Sequence, residues 1–128
     1  MLVDEKNKAL ILKLDDPSPV LDAIPSARLL SFRGSVLTIV PHKLDEVKVL
    51  RNLGINAPSP ILHDYNWPGR YVPYEHQRLT SAFLTMHKKA LVLNDIGTGK
   101  THSVLWAADY LMSIGEVKKV LVLSPLST

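Results

Sequence analysis

The chain has 128 residues, of which 46% are hydrophobic and 21% charged. That composition fits one ordinary domain, or a small domain plus a fragment, and excludes a disordered chain. No apolar run reaches about 18 residues, which excludes a membrane-spanning helix, and the absence of cysteine excludes disulfides.

Formal net charge is +3. Residues 1–70 hold nine Lys/Arg against eight Asp/Glu, and residues 71–128 hold six against four. Neither half is a basic tail, so contact with DNA has to come from local placement of charge. The opening residues carry Lys6 and Lys8 but no apolar signal core, and with the lack of cysteine this gives a cytoplasmic location as the expectation.

In chain order, residues 7–14 read as a strand and Asp15-Asp16-Pro17-Ser18-Pro19 as turn chemistry. Val20 to Ile24 fits a short helical turn. Residues 28–32 and 35–40 read as a hairpin that bends at Arg33-Gly34, and Pro41 closes its second strand. Lys43 to Leu53 has apolar residues at 44, 47, 50 and 53, a helical spacing, and Gly54 is a good stop for it. Residues 55–73 hold Pro58, Pro60, Pro68 and Pro73 and read as a linker carrying Tyr65, Trp67 and Tyr71. This divides the chain into a small α+β accessory domain over 1–67 and a second unit over 68–128.

The second unit opens with a helix over Glu75 to His87 whose apolar face is Leu79, Ala82, Phe83 and Met86. Ala90 to Leu93 reads as a buried strand. Lys100 to Ser113 reads as a helix that turns Val104, Leu105, Ala108, Leu111 and Met112 toward a sheet, and Gly115 ends it. Lys119 to Leu123 reads as the next strand. Strand, helix and strand over about thirty residues make a βαβ unit, which predicts parallel strands.

Residues 91–101, Leu-Val-Leu-Asn-Asp-Ile-Gly-Thr-Gly-Lys-Thr, carry the most chemistry. An apolar run enters a glycine-containing turn, and a helix starts at the Lys-Thr pair. Glycines let successive N–H groups point inward at a phosphate. Lys100 can then reach the β- and γ-phosphates, and the Thr101 hydroxyl can ligate Mg²⁺. The strict pattern is G-x-x-x-x-G-K-[ST], and Asn94 occupies its first glycine position. The bland alternative is a structural strand–turn–helix with a chance lysine.

Two flanking segments extend the pattern. Tyr71-Val72-Pro73-Tyr74-Glu75-His76-Gln77 lies upstream, with Gln77 placed 23 residues before Lys100. Ser124-Pro125-Leu126-Ser127-Thr128 lies downstream, after an apolar run. Over residues 71–128 the chain resembles the front of the superfamily-two helicases, most closely the Swi/Snf-type ATPases. Their phosphate loop reads like A-D-E-M-G-L-G-K-T, which aligns with Leu93 to Thr101 without a gap. Their adenine-recognising glutamine corresponds to Gln77, and their first DNA-contacting motif, a P-L-S-x run, to Pro125 onward. Asn94, Asp95 and His76 depart from the family pattern.

The resemblance implies an α/β fold, an incomplete RecA-like P-loop lobe with a parallel βαβ core behind the accessory domain. It implies ATP and Mg²⁺ as cofactors and DNA, duplex or branched, as partner. Gln77, Gly97, Thr98, Gly99, Lys100 and Thr101 would bind the nucleotide. Lys100 would be the catalytic group at the phosphates, Thr101 the Mg²⁺ ligand, and Ser124 and Ser127 donors to DNA phosphates. The N-terminal unit loosely resembles small recognition domains that precede the motor in some phage and annealing-type helicases. There Arg28, Arg33, Lys43, Lys48, Arg51 and Arg70 could line a DNA surface, or be an ordinary solvated surface.

Hydrolysis also needs an acidic pair and an arginine at the γ-phosphate, which the family carries further along in a D-E-x-H-like run. No such run occurs here. The expectation is therefore the ATP-binding N-terminal portion of a DNA-dependent ATPase or helicase, with the 128 residues alone inactive in turnover. The alternative is a non-hydrolysing ATP- or DNA-binding module, should the chain end naturally at Thr128. A P-loop kinase is disfavoured by Gln77 and by the Ser124-Pro125-Leu126-Ser127 segment. The five histidines have no zinc spacing. Trp67 and Trp106 read as packing residues rather than base platforms.

Overall fold

A computed structural model describes residues 1–93 and 99–125. It is mixed α/β, and the chain divides into two compact units, Met1–Asn66 and Trp67–Thr128. No helix among the described residues is long and apolar enough to cross a membrane.

The first unit is built on a four-stranded antiparallel sheet in the order β1-β2-β4-β3. Its strands are β1 (Leu2–Asp4), β2 (Ala9–Leu12), β3 (Arg28–Phe32) and β4 (Ser35–Pro41). The β3–β4 turn is the Arg33-Gly34 pair, with φ of 50° and 79°. Two successive positive φ values give the twist that matches a two-residue hairpin, and they fix the register Phe32↔Ser35 through Arg28↔Ile39. The sequence reading missed β1. Residues 7 and 8 are turn, not strand: the Asp4 carboxylate accepts the Asn7 backbone and side-chain N–H at 3.1 and 2.7 Å, and Lys8 has a φ of 51°.

Alternation along β2 and β4 buries one face. Leu10 pairs with Val40 and Leu12 with Thr38, and all four are buried. Val20 of α1 (Ser18–Ala23) and Leu44, Val47 and Leu50 of α2 (Leu44–Asn52) are buried in the same unit. Burying each such side chain contributes about 1.5–3 kcal/mol.

Half of the proline-rich stretch belongs to this core, which corrects the linker reading. Ala57, Ser59, Pro60 and Ile61 are buried, and Ile61–Asp64 forms a short helix, α3. Prolines suit such a path, because each removes a backbone N–H that burial would otherwise leave to be satisfied. The remaining carbonyls find side chains. Arg51 Nε donates to the Ala57 carbonyl at 2.8 Å, and His42 Nε2 lies 2.9 Å from the Pro58 carbonyl. An ion pair between Lys8 and Asp64 at 3.0 Å and a 2.8 Å contact between His63 and Glu5 tie α3 to the β1–β2 turn.

The His42 contact makes a pH prediction. Burial, the largest influence, pulls its pKa below the ordinary 6.5; the Pro58 bond raises it, the neighbouring His63 lowers it and Asp64 raises it. The unfolded chain therefore takes up the proton first as pH falls. Stability is full above the ordinary value and declines as pH drops through it toward the folded one. His42→Gln keeps a donor for Pro58 and cannot titrate. Its thermal midpoint is expected to fall less than that of the wild type between about pH 7.5 and about pH 5; equal falls would contradict the assignment.

The second unit contains α4 (Glu75–Met86) and α5 (Lys100–Ser113). Their buried faces keep only Ala82 and Met86 of the apolar stripes expected from the sequence. On α4 these are Gln77, Ser81, Ala82, Thr85 and Met86, and on α5 Ser103, Trp106, Ala107 and Tyr110. Ser81 Oγ donates to the Ser103 carbonyl at 2.8 Å, so small polar residues bring the helices together with their hydroxyls satisfied. Leu79, Phe83, Val104, Leu105 and Met112 are instead exposed. The expected strands at 90–93 and 119–123 join no hydrogen-bonded ladder among the described residues, and Leu91, Leu93, Leu121 and Leu123 are each more than three-quarters exposed. The two helices pack on each other. Trp106 is a packing residue, as expected: its ring meets Trp67 edge-on at 5.6 Å and its Nε1 donates to the Pro68 carbonyl at 2.9 Å.

Candidate functional site

The site forms where the first turns of α4 and α5 meet. Tyr74 precedes α4 with an extended backbone (φ −71°, ψ 158°), and Gln77 sits three residues on. That is the spacing at which a glutamine reaches back to cap a helix start. Gln77 Oε1 accepts the Tyr74 N–H at 2.9 Å. The other end of the same amide crosses to the neighbouring helix, where Nε2 donates to the Gly99 carbonyl at 3.3 Å. Gln77 is thus buried and bonded at both ends.

Gly99 is the N-cap of α5, in the left-handed region at φ 74°, ψ 36°. A side chain there would be strained by conformation alone, and a Cβ would also overlap Gln77 Nε2. The Gly99 carbonyl accepts the Ser103 N–H at 3.2 Å and the Ser103 hydroxyl at 3.3 Å as well. Three donors thus converge on one oxygen.

Lys100 and Thr101 follow as the first residues of α5, with Thr101 exposed. Gly99 has no side chain with which to cap this helix, and its first turn contains no acid. The N–H end of a 14-residue helix carries roughly half a positive charge, so this end suits an anion. Nearby in the chain, the exposed Tyr74 and His76 stack with ring centroids 5.7 Å apart and planes 10° apart, and Tyr71 meets His102 edge-on at 5.6 Å.

Of the residues singled out from the sequence, the structure brings Gln77 to Gly99, with Lys100 and Thr101 next in the chain. Gly97, Thr98 and Ser127 lie outside the described residues, as do Asn94 and Asp95. Ser124 is exposed, and no described contact joins it to this group. Ser81 and Ser103 were missed by the sequence reading. The signal for Ser81 was the polar stripe Gln77, Ser81, Thr85 at a spacing of four along α4. No group of three or more His, Cys, Asp or Glu able to hold a metal occurs among the described residues. A Mg²⁺ held by a threonine hydroxyl and phosphate oxygens does not need one.

Comparison with protein-family models, with curated proteins and with solved structures finds no match to this chain.

Proposed function

We propose that the chain binds ATP with Mg²⁺ at the start of α5, as part of a DNA-dependent ATPase of the helicase class. The observation that carries this reading is the Gly99-Lys100-Thr101 helix start. A left-handed glycine opens a helix with no acid in its first turn, immediately before a lysine and a threonine. Lys100 would contact the β- and γ-phosphates, Thr101 would hold Mg²⁺, and the first-turn N–H groups would face phosphate oxygens. The bound nucleotide supplies the phosphoanhydride chemistry; the residues here hold and orient it.

The finer architecture, an incomplete RecA-like lobe whose parallel strands are 90–93 and 119–123, belongs to the same proposal. The exposed apolar faces of α4 and α5 and the exposed Leu91, Leu93, Leu121 and Leu123 support it, because helices flanking a parallel sheet present such faces to its strands. Binding without turnover is the activity proposed for these residues. DNA-coupled turnover is proposed for a motor that includes them, with Ser124 and Ser127 contacting DNA phosphates.

Calorimetric titration of ATP into the chain tests the reading. Saturable binding that weakens at least tenfold when Mg²⁺ is chelated is expected. No heat at millimolar ATP, or binding indifferent to Mg²⁺, would contradict it.

A further inference from the structure

We propose that Gln77 is a positioning residue for the phosphate-binding helix start, acting on the Gly99 peptide rather than on the nucleotide base. The inference rests on the reading of Gly99–Thr101 as a phosphate site and adds the element that sets its geometry.

A carboxamide offers two N–H donors and one oxygen acceptor. In Gln77 the oxygen takes the Tyr74 N–H, and one N–H goes to the Gly99 carbonyl. The side chain is 7% exposed, so it presents little of its remaining capacity to a ligand. Recognising an adenine edge takes a donor and an acceptor together, and here both ends of the amide are committed to protein partners.

The contact with Gly99 has a specific consequence. The peptide unit is planar and trans, so the C=O of Gly99 and the N–H of Lys100 point in opposite directions. Gripping the Gly99 oxygen from the α4 side fixes the Lys100 N–H on the other side, at the mouth of α5. That N–H is one of the donors a phosphate would meet. Nε2 also lies close against the Gly99 Cα, where a Cβ would overlap it, so the contact needs a glycine at 99. It is also braced: Ser103 shares the same oxygen, and Ser81 holds the Ser103 carbonyl at 2.8 Å. Gln77, Gly99, Ser103 and Ser81 thus form a closed ring of contacts between α4 and α5. Its end residue orients a phosphate donor.

Titration of ATP, GTP and tripolyphosphate, each with Mg²⁺, into the wild type, Gln77→Ala, Gln77→Met and Lys100→Ala tests the assignment. Gln77→Met fills the same space without hydrogen bonds, which guards against a cavity effect, and thermal midpoints establish that each variant is folded. Wild-type binding of tripolyphosphate that Lys100→Ala weakens at least tenfold establishes the phosphate site without reference to Gln77. On that footing both Gln77 variants are expected to lose affinity for all three ligands by a common factor of about ten, since one lost hydrogen bond is worth about that ratio. Loss confined to ATP would make Gln77 a base reader and overturn the proposal, as would unchanged binding of every ligand. A wild type that binds none of the three overturns the phosphate reading itself, and the inference with it.

Discussion

Replacing Lys100 with alanine is expected to weaken ATP–Mg²⁺ binding by roughly 10- to 150-fold, the equivalent of about 1.5–3 kcal/mol for charge-assisted hydrogen bonds to phosphate. The chain's fold should hardly notice. Lys100 is the first residue of α5 and only partly buried, alanine is the best helix former, and a partly exposed charge contributes at most about 1 kcal/mol. Lys100→Arg separates charge from shape. It keeps the cation but spreads it over a planar fork, so partial recovery is expected rather than full affinity. Calorimetry on the two variants reads both effects. An alanine variant with wild-type affinity would leave Lys100 outside the site, and the strand–turn–helix would then be structural only.

The second large effect falls in the first unit. Ile61→Ala is expected to destabilise that unit by about 2–5 kcal/mol, the range for emptying a fully buried aliphatic site. In a unit of this size each kcal/mol lowers the thermal midpoint by about 4–8 °C, so a drop of roughly 8 °C or more should appear in a melting curve. A residue in a solvated linker would change stability by no more than about 0.5 kcal/mol. The variant therefore decides whether residues 57–61 are core, as their burial indicates, or tether.

Why that stretch misled the sequence reading is instructive. Pro58 and Pro60 signal irregular backbone, and irregular backbone usually lies at the surface. What the composition does not display is that Arg51 and His42, six and sixteen residues earlier, supply donors for the Ala57 and Pro58 carbonyls. Those bonds let a loop without regular structure enter the core. Local signals did better where the physics is local. The Arg33-Gly34 hairpin and the α2 spacing of 44, 47 and 50 emerge from turn chemistry and periodicity alone.

In the second unit, helix positions were legible and helix faces were not. Apolar residues were assigned to the buried side because a sheet was expected there. Among the described residues the helices meet through Ser81 and Ser103, and Ala82 and Ala107 are buried beside them in the chain. The candidate site was legible as far as Lys100 and Thr101. Gln77 was singled out as an adenine reader, and its partners in the structure, the Tyr74 N–H and the Gly99 carbonyl, depend on how α4 meets α5. That is long-range information, carried by a residue 22 positions away in the chain.

The central claim is that a nucleotide sits at the start of α5, and amide NMR of the isotopically labelled chain titrated with ATP–Mg²⁺ tests it most directly. The prediction is a saturable shift of the Gly99, Lys100 and Thr101 amides that, in Lys100→Ala, needs roughly 10- to 150-fold more ATP to saturate at residues 99 and 101. If those three amides stay still at millimolar ATP, or if shifts arise only within Met1–Asn66, the site is elsewhere or absent.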